Sequence, residues 1–229
     1  MIQLSISAAH SYVRKVLDEL TSVEEIGMLV SPDSVDLHKL VEGFCVEAVV
    51  KVHNAAPSLF LDGIKGKGKL GDEASSITPG ETSEDYDFRA NVNDKGVITI
   101  IMLKDTLRLV SLKVADSDVV VCDLLPEDSA EARKQLNKYV RGVPDDPRLV
   151  LQTSWSDDYK PVFKYYSTDM DECPLMDLEY IPYPNIEEAI IMISPKLEYH
   201  VLNEITAMVL DALSEHDKAA IYHKKAMEF

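Results

Sequence analysis

Cysteine, tryptophan and basic charge are the scarce things in this sequence. Its three cysteines (Cys45, Cys122 and Cys173) lie far apart with no CxxC pair, which excludes a disulfide framework and a zinc knuckle and fits reduced, intracellular thiols, Cys45 within a helix core. Basic residues number 23 against 40 acidic ones, a formal charge of −17. That balance argues against a protein that grips DNA or RNA, because phosphate binding is carried by Lys and Arg. It suits a surface that lets nucleic acid pass, or a soluble protein that resists aggregation. No run of 18 apolar residues occurs, and the first ten residues have neither a basic region nor a long apolar run. Neither a membrane span nor an export signal is expected.

What is present is 46% hydrophobic residues in a 229-residue chain, enough for one domain carrying an inserted region. Over 7–55 the spacing predicts two helices. Val13, Val16, Leu17 and Leu20 line the first, while Leu37, Leu40, Val41, Phe44, Cys45, Ala48 and Val49 line the second. The end of the chain, 194–229, predicts another pair. Ser194-Pro195 forms a start signal, Leu197, Val201, Ile205, Met208 and Val209 a stripe, and Ser214 a second start. Between them, 62–87 reads as a Gly-rich and acidic loop and 96–183 as β-rich. Strands are expected over 96–103, 107–114, 148–152, 161–166 and 178–183, with a short helix from Ser129 towards Gly142. The expected fold class is therefore α+β: an antiparallel helical bundle of N- and C-terminal helix pairs with an inserted antiparallel β-rich region.

Candidate chemistry is thin. Gly63, Gly68 and Lys69 satisfy G-x-x-x-x-G-K, and Gly66, Gly68 and Gly71 satisfy G-x-G-x-x-G. A phosphate loop, however, needs a strand before it and a helix after it. Here Leu70 stands where Ser or Thr would hold magnesium, and an acidic run follows. Asp169, Asp171 and Glu172 beside Cys173 lack an EF-hand glycine, and Asp157-Asp158 is a turn signal first. His38 and His53, and His216 and His223, match no metal pattern. No catalytic residue, cofactor site or metal site is assigned, and a non-enzyme is expected.

Five stretches taken together are informative: 105–112 (DTLRLVSL), 135–147 (QLNKYVRGVPDDP), the strand at 163–166, 193–197 (ISPKL) and 215–219 (EHDKA). In order and spacing they resemble the head-tail connector (adaptor, or ring) proteins of crAss-like tailed phages, over about 105–229. The 63–87 insertion has no counterpart in that pattern. The resemblance implies a structural virion protein without cofactor, sited at the head-tail interface and assembled in the host bacterial cytoplasm. It implies a homododecameric ring stacked below the portal, in contact with further tail or ring proteins. Genomic DNA would pass through the lumen without specific binding, and no membrane would be involved. Trp155, Tyr165, Tyr166, Lys224, Lys225 and Phe229 are then the candidate interface residues, the last three as a tail docking on the portal. Alternative expectations are another tail-hub or assembly protein, or a nucleotide-dependent enzyme using the 63–70 loop.

Overall fold

The computed structural model describes residues 1–21, 36–68, 86–93, 96–114, 118–143, 145–152, 161–167 and 176–229. It divides into two units, Met1–Ile64 with Tyr183–Phe229, and Lys65–Pro182.

The first unit begins with a strand. In β1 (Ile2–Ser5) Leu4 is buried and Gln3 exposed, the alternation of a half-buried strand. It pairs antiparallel with β12 (Ile190–Ile193), which also pairs with β11 (Ile186–Glu187). Glu188 and Ala189 link β11 to β12 with φ of 50° and 62°, the left-handed values that a two-residue hairpin turn demands of both central residues. Among the described residues four α-helices complete the unit: α1 (Ile6–Thr21), α2 (Leu37–Ala55), α4 (Glu198–Ala212) and α5 (His216–Ala226). Ser5 Oγ caps α1 by accepting from Ala8 N, and Asp36 caps α2 by accepting from Lys39 N. Helix α4 packs on the other three, and α2 reaches β12. Their shared core holds Ile6, Val13, Val41, Val49, Val52, Ile191, Ile193, Leu197, Val201, Ile205 and Val209. Ser194 precedes the 3₁₀ turn Pro195–Leu197 that leads into α4, and makes no side-chain cap. Its hydroxyl donates instead to the Phe60 carbonyl, tying the chain leaving α2 to the chain entering α4.

The described residues of the second unit form two sheets. One has the order β2 (Gly66–Gly68), β10 (Met176–Pro182), β5 (Thr106–Val114), β6 (Val120–Val121), all antiparallel. The other runs β3 (Phe88–Val92), β4 (Ile98–Met102), β9 (Val162–Tyr166), β8 (Arg148–Leu151), β7 (Leu124–Pro126), with β7 and β8 parallel. Phe88, Ile98, Ile100, Met102, Leu149, Phe163 and Tyr165 from the second sheet share one buried cluster with Leu112, Val114, Met176, Leu178 and Tyr180 from the first. The sheets therefore pack face to face. Although β4 and β5 follow one another through Lys104-Asp105, they belong to different sheets.

The expected helical bundle with an inserted β region is corrected. Among the described residues there are five helices and twelve strands in three sheets, a mixed α/β structure. The helices share their unit with a sheet, and nine of the strands form a second unit with its own core. Short strands such as β1 and β11 carry too few residues to declare a period of two, so helical periodicity dominates the sequence pattern at both ends.

Candidate interaction surface

Between β7 and β8 the chain forms an exposed loop in which apolar side chains face water. Helix α3 (Ala130–Lys134) opens it. Ser129 Oγ caps that helix by accepting from Ala132 N, and Ala132 is buried. The helix then stops, although the apolar pattern runs on through Leu136 and Tyr139, and turns follow as far as Val140. Leu136 is 75% exposed, Tyr139 85%, Val140 57% and Val143 51%.

This loop is held from beneath. Gln135 is buried, donates through Nε2 to the Glu131 carbonyl at 3.2 Å and accepts from Gly142 N at 2.7 Å. Asn137 Oδ1 accepts from Tyr139 N, and Val143 and Asp146 exchange backbone hydrogen bonds. At Gly142 a Cβ would lie 2.6 Å from the Tyr166 carbonyl oxygen and 2.9 Å from Arg148 N. Only glycine lets the loop sit this close to β8 and β9. Four apolar side chains presented on a backbone fixed at both ends form a candidate surface for association.

The interface candidates from the sequence fall in different places. Tyr165 and Tyr166 lie on β9 at 2% and 4% exposure, so in a single subunit their rings belong to the core, where burial pushes both phenols up. Trp155 lies outside the described residues, as do Asp157, Asp158, Asp169, Asp171, Glu172 and Cys173. Lys224, Lys225 and Phe229 come together at the end of α5, where each contacts its own chain. Lys224 pairs with Glu228 at 3.7 Å, and the Lys225 ammonium lies 4.5 Å from the Tyr222 ring centroid. Phe229 packs on His200 and Phe60 with centroids 4.8 and 6.0 Å away. The sequence pattern puts Leu136 and Tyr139 on a short helix running to Gly142, which the structure ends at Lys134, and none of Leu136, Tyr139, Val140 and Val143 was an interface candidate. The signal available was an apolar pattern continuing beyond a short helix into a Gly- and Pro-containing turn.

A second constellation ties α2, α4 and α5 together. Glu204 on α4 is fully buried, a position that a carboxylate tolerates only when paired. Its Oε1 lies 2.5 Å from the Lys51 ammonium, a close ion pair without aligned hydrogen-bond geometry. Its Oε2 lies 2.9 Å from His223 Nδ1. His223 Nε2 is 2.9 Å from Asp211 Oδ2, and Asp211 Oδ1 is 3.0 Å from His216 Nδ1. Hydrogen bonds from His216, then from His223, hold the Asp211 carboxyl below the usual carboxylate range. These histidines thus meet carboxylate oxygens at hydrogen-bond distances. Among the described residues no group of three or more His, Cys, Asp or Glu is arranged to hold a metal ion.

The glycine-rich motif also acquires a local explanation. Gly66 and Gly68 are in β2, paired with Tyr180 and Leu178. A Cβ on Gly66 would lie 2.7 Å from the Tyr180 ring, and one on Gly68 would lie 2.9 Å from Phe88. These glycines let a strand pass against aromatic rings. Lys69 and the stretch after it lie outside the described residues. Tyr180 in turn donates to Asp87 Oδ1 at 3.0 Å, and Lys104 pairs with that same oxygen at 2.6 Å. A shallow open depression runs along α1 between His10 and Glu19; it is not the enclosed apolar cleft typical of small-molecule sites. No helix of the described residues is long and apolar enough to cross a membrane. No family model and no curated protein matches the chain.

Proposed function

We propose that this chain is a structural, non-enzymatic subunit of a phage head-tail connector. It forms a ring that stacks below the portal and extends the channel by which the genome leaves the capsid. The observation that carries this reading is the 136–143 loop. It lies in QLNKYVRGVPDDP, one of the stretches that resemble the connector family, and it presents Leu136, Tyr139, Val140 and Val143 to solvent on a pinned backbone. A ring subunit needs such a surface, because it must meet two neighbours through head-to-tail contacts that close. The charge of −17 fits a channel protein that releases DNA, since phosphates meeting like charge do not adhere. In this reading the partners are further copies of the chain, the portal and other tail or ring proteins, and the site is the virion vertex, assembled in the host cytoplasm.

Electron microscopy of the chain alone and mixed with the portal protein tests the proposal, with native mass spectrometry to count copies. A closed ring, twelvefold as in the family it resembles, is the expected result. A chain that remains monomeric and fails to bind in both conditions would end the connector reading.

A further inference from the structure

Helix α5 is fastened to its unit more by polar groups than by apolar ones. Of its 11 residues only Ala219 and Ala226 are buried, and no side chain caps its N-terminus. Each alanine brings one methyl group to the contact, and burial stabilises in proportion to apolar area. Ile221 is half exposed, and Phe229 adds its packing on His200 and Phe60 only beyond the helix end. A helix shorter than about 12–15 residues is marginal in water by itself. The groups that hold α5 against α4 therefore decide whether it is a helix at all.

The His223 ring lies between two carboxylates of α4, with Nδ1 2.9 Å from Glu204 Oε2 and Nε2 2.9 Å from Asp211 Oδ2. A neutral imidazole has a single N–H and would turn a bare lone pair towards one of these oxygens. Only the imidazolium donates to both. The local charges agree. Glu204, fully buried, and Asp211 supply two anions. Lys51 of α2, 2.5 Å from Glu204 Oε1, supplies one cation, and a doubly protonated His223 supplies the second. The Lys51 ammonium also lies 3.4 Å from His223 Nδ1, a like charge farther off than either carboxylate. Exposed His216 meets the other Asp211 oxygen. His200 on α4 meets the Ala226 carbonyl through Nδ1 at 3.1 Å, a bond that a neutral ring donates as well as a charged one. Tyr222 senses Glu19 of α1 and Tyr199 of α4, and burial pushes its phenol and that of Tyr12 up, away from the range in which a histidine changes charge. On α5 itself Lys218 pairs with Glu215 and Lys224 with Glu228.

We infer that His223 is a proton-governed latch: doubly protonated, it fastens α5 across Glu204 and Asp211 of α4, and loss of one proton releases the helix. Glu204 keeps Lys51 as its partner when the latch opens, so α2 and α4 stay joined. The docked state binds the proton more tightly than the released one, so docking weakens as pH rises through the titration of His223. The latch is independent of the connector reading. Its test uses the full chain, with NMR of the histidine ring nitrogens and amide hydrogen exchange at about pH 6 and about pH 8.5. At the lower pH both His223 nitrogens should carry protons. After correction for intrinsic rates, α5 amides should exchange about tenfold or more faster at the higher pH, while α2 amides change far less. His223→Gln, which cannot carry the charge, should exchange rapidly in α5 at both. Asp211→Asn keeps the ring but removes one facing charge, and the pH at which α5 loosens should fall. A His223 ring with one proton at the lower pH, or α5 exchange alike at both, would overturn the inference. So would a pH dependence that persists in His223→Gln, which would assign it to His200 or His216.

Discussion

Tyr180 shows how one side chain couples the sheets to solution conditions. Its ring covers Gly66, and its hydroxyl donates to Asp87, which also pairs with Lys104. Burial, then the bond to Asp87, pushes the phenol up to about 12, against about 10 in an unfolded chain. A raised value means that the folded state holds its proton longer. The resulting stability is complete below pH ~10 and is lost as pH rises through about 12. Urea unfolding between pH 9 and 12 should therefore show falling stability, with Tyr180 contributing on the order of 2 kcal/mol of the decline. Tyr12, Tyr165, Tyr166 and Tyr222 are shifted in the same direction by burial and add to the slope. Tyr180→Phe should make the slope shallower, at a cost near neutrality of about 1 kcal/mol for the lost hydrogen bond. An alkaline slope identical in the two proteins would refute the assignment. None of this coupling was legible in the sequence, where Asp87, Lys104 and Tyr180 are scattered residues that only the strand pairing joins.

At the scale of the element, Ser214 is the instructive position. Its place before Glu215 and Asp217 predicts an N-cap for the last helix, yet that helix starts after Glu215 and no side chain caps it. Ser214 instead closes α4. It has φ of 65°, its N–H donates to the Asp211 carbonyl, and Glu215 N donates to Leu210, a Schellman ending. The two roles favour different residues: serine suits an N-cap, whereas glycine suits the left-handed position. Ser214→Gly should stabilise the protein by about 0.5–1 kcal/mol. Thermal melting should rise by about 2–4 °C per kcal/mol in a chain of this size. A fall in the midpoint would show that the hydroxyl matters more than the backbone strain. The hairpin at Glu188-Ala189 escaped sequence reasoning for the same cause. Its positive φ values fall on residues that carry no Asn-Gly signal. By contrast α1, α2, β8, β9 and β10 lie close to where the sequence pattern puts them, the helices because their apolar faces are long and the strands because their apolar runs are bounded by turn residues.

For the whole molecule, what could be read locally was the identity of most elements, and what could not was their grouping. Residues 96–103 and 107–114 read as neighbouring strands, and as β4 and β5 they join separate sheets, a choice made by pairing with β9 and β10 some sixty residues away. Long-range pairing leaves no local trace. The grouping has a testable consequence. Residues 65–182 enter and leave their unit once each and enclose a core from Phe88 to Tyr180 within two sheets. A unit with its own core and a single continuous stretch of chain meets the requirement for folding alone. Expressed by itself, 65–182 should give a cooperative thermal transition and a dispersed amide NMR spectrum. It should also retain the buried Gln135–Gly142 bond, seen as slow hydrogen exchange at Gly142. The first unit is built from two separated pieces of chain, so cutting at 64 and 183 removes the connection between them and the two pieces should then associate only at a cost set by their concentration. A collapsed spectrum for 65–182 would mean that its sheets depend on the helices, and that the chain folds only as one cooperative whole.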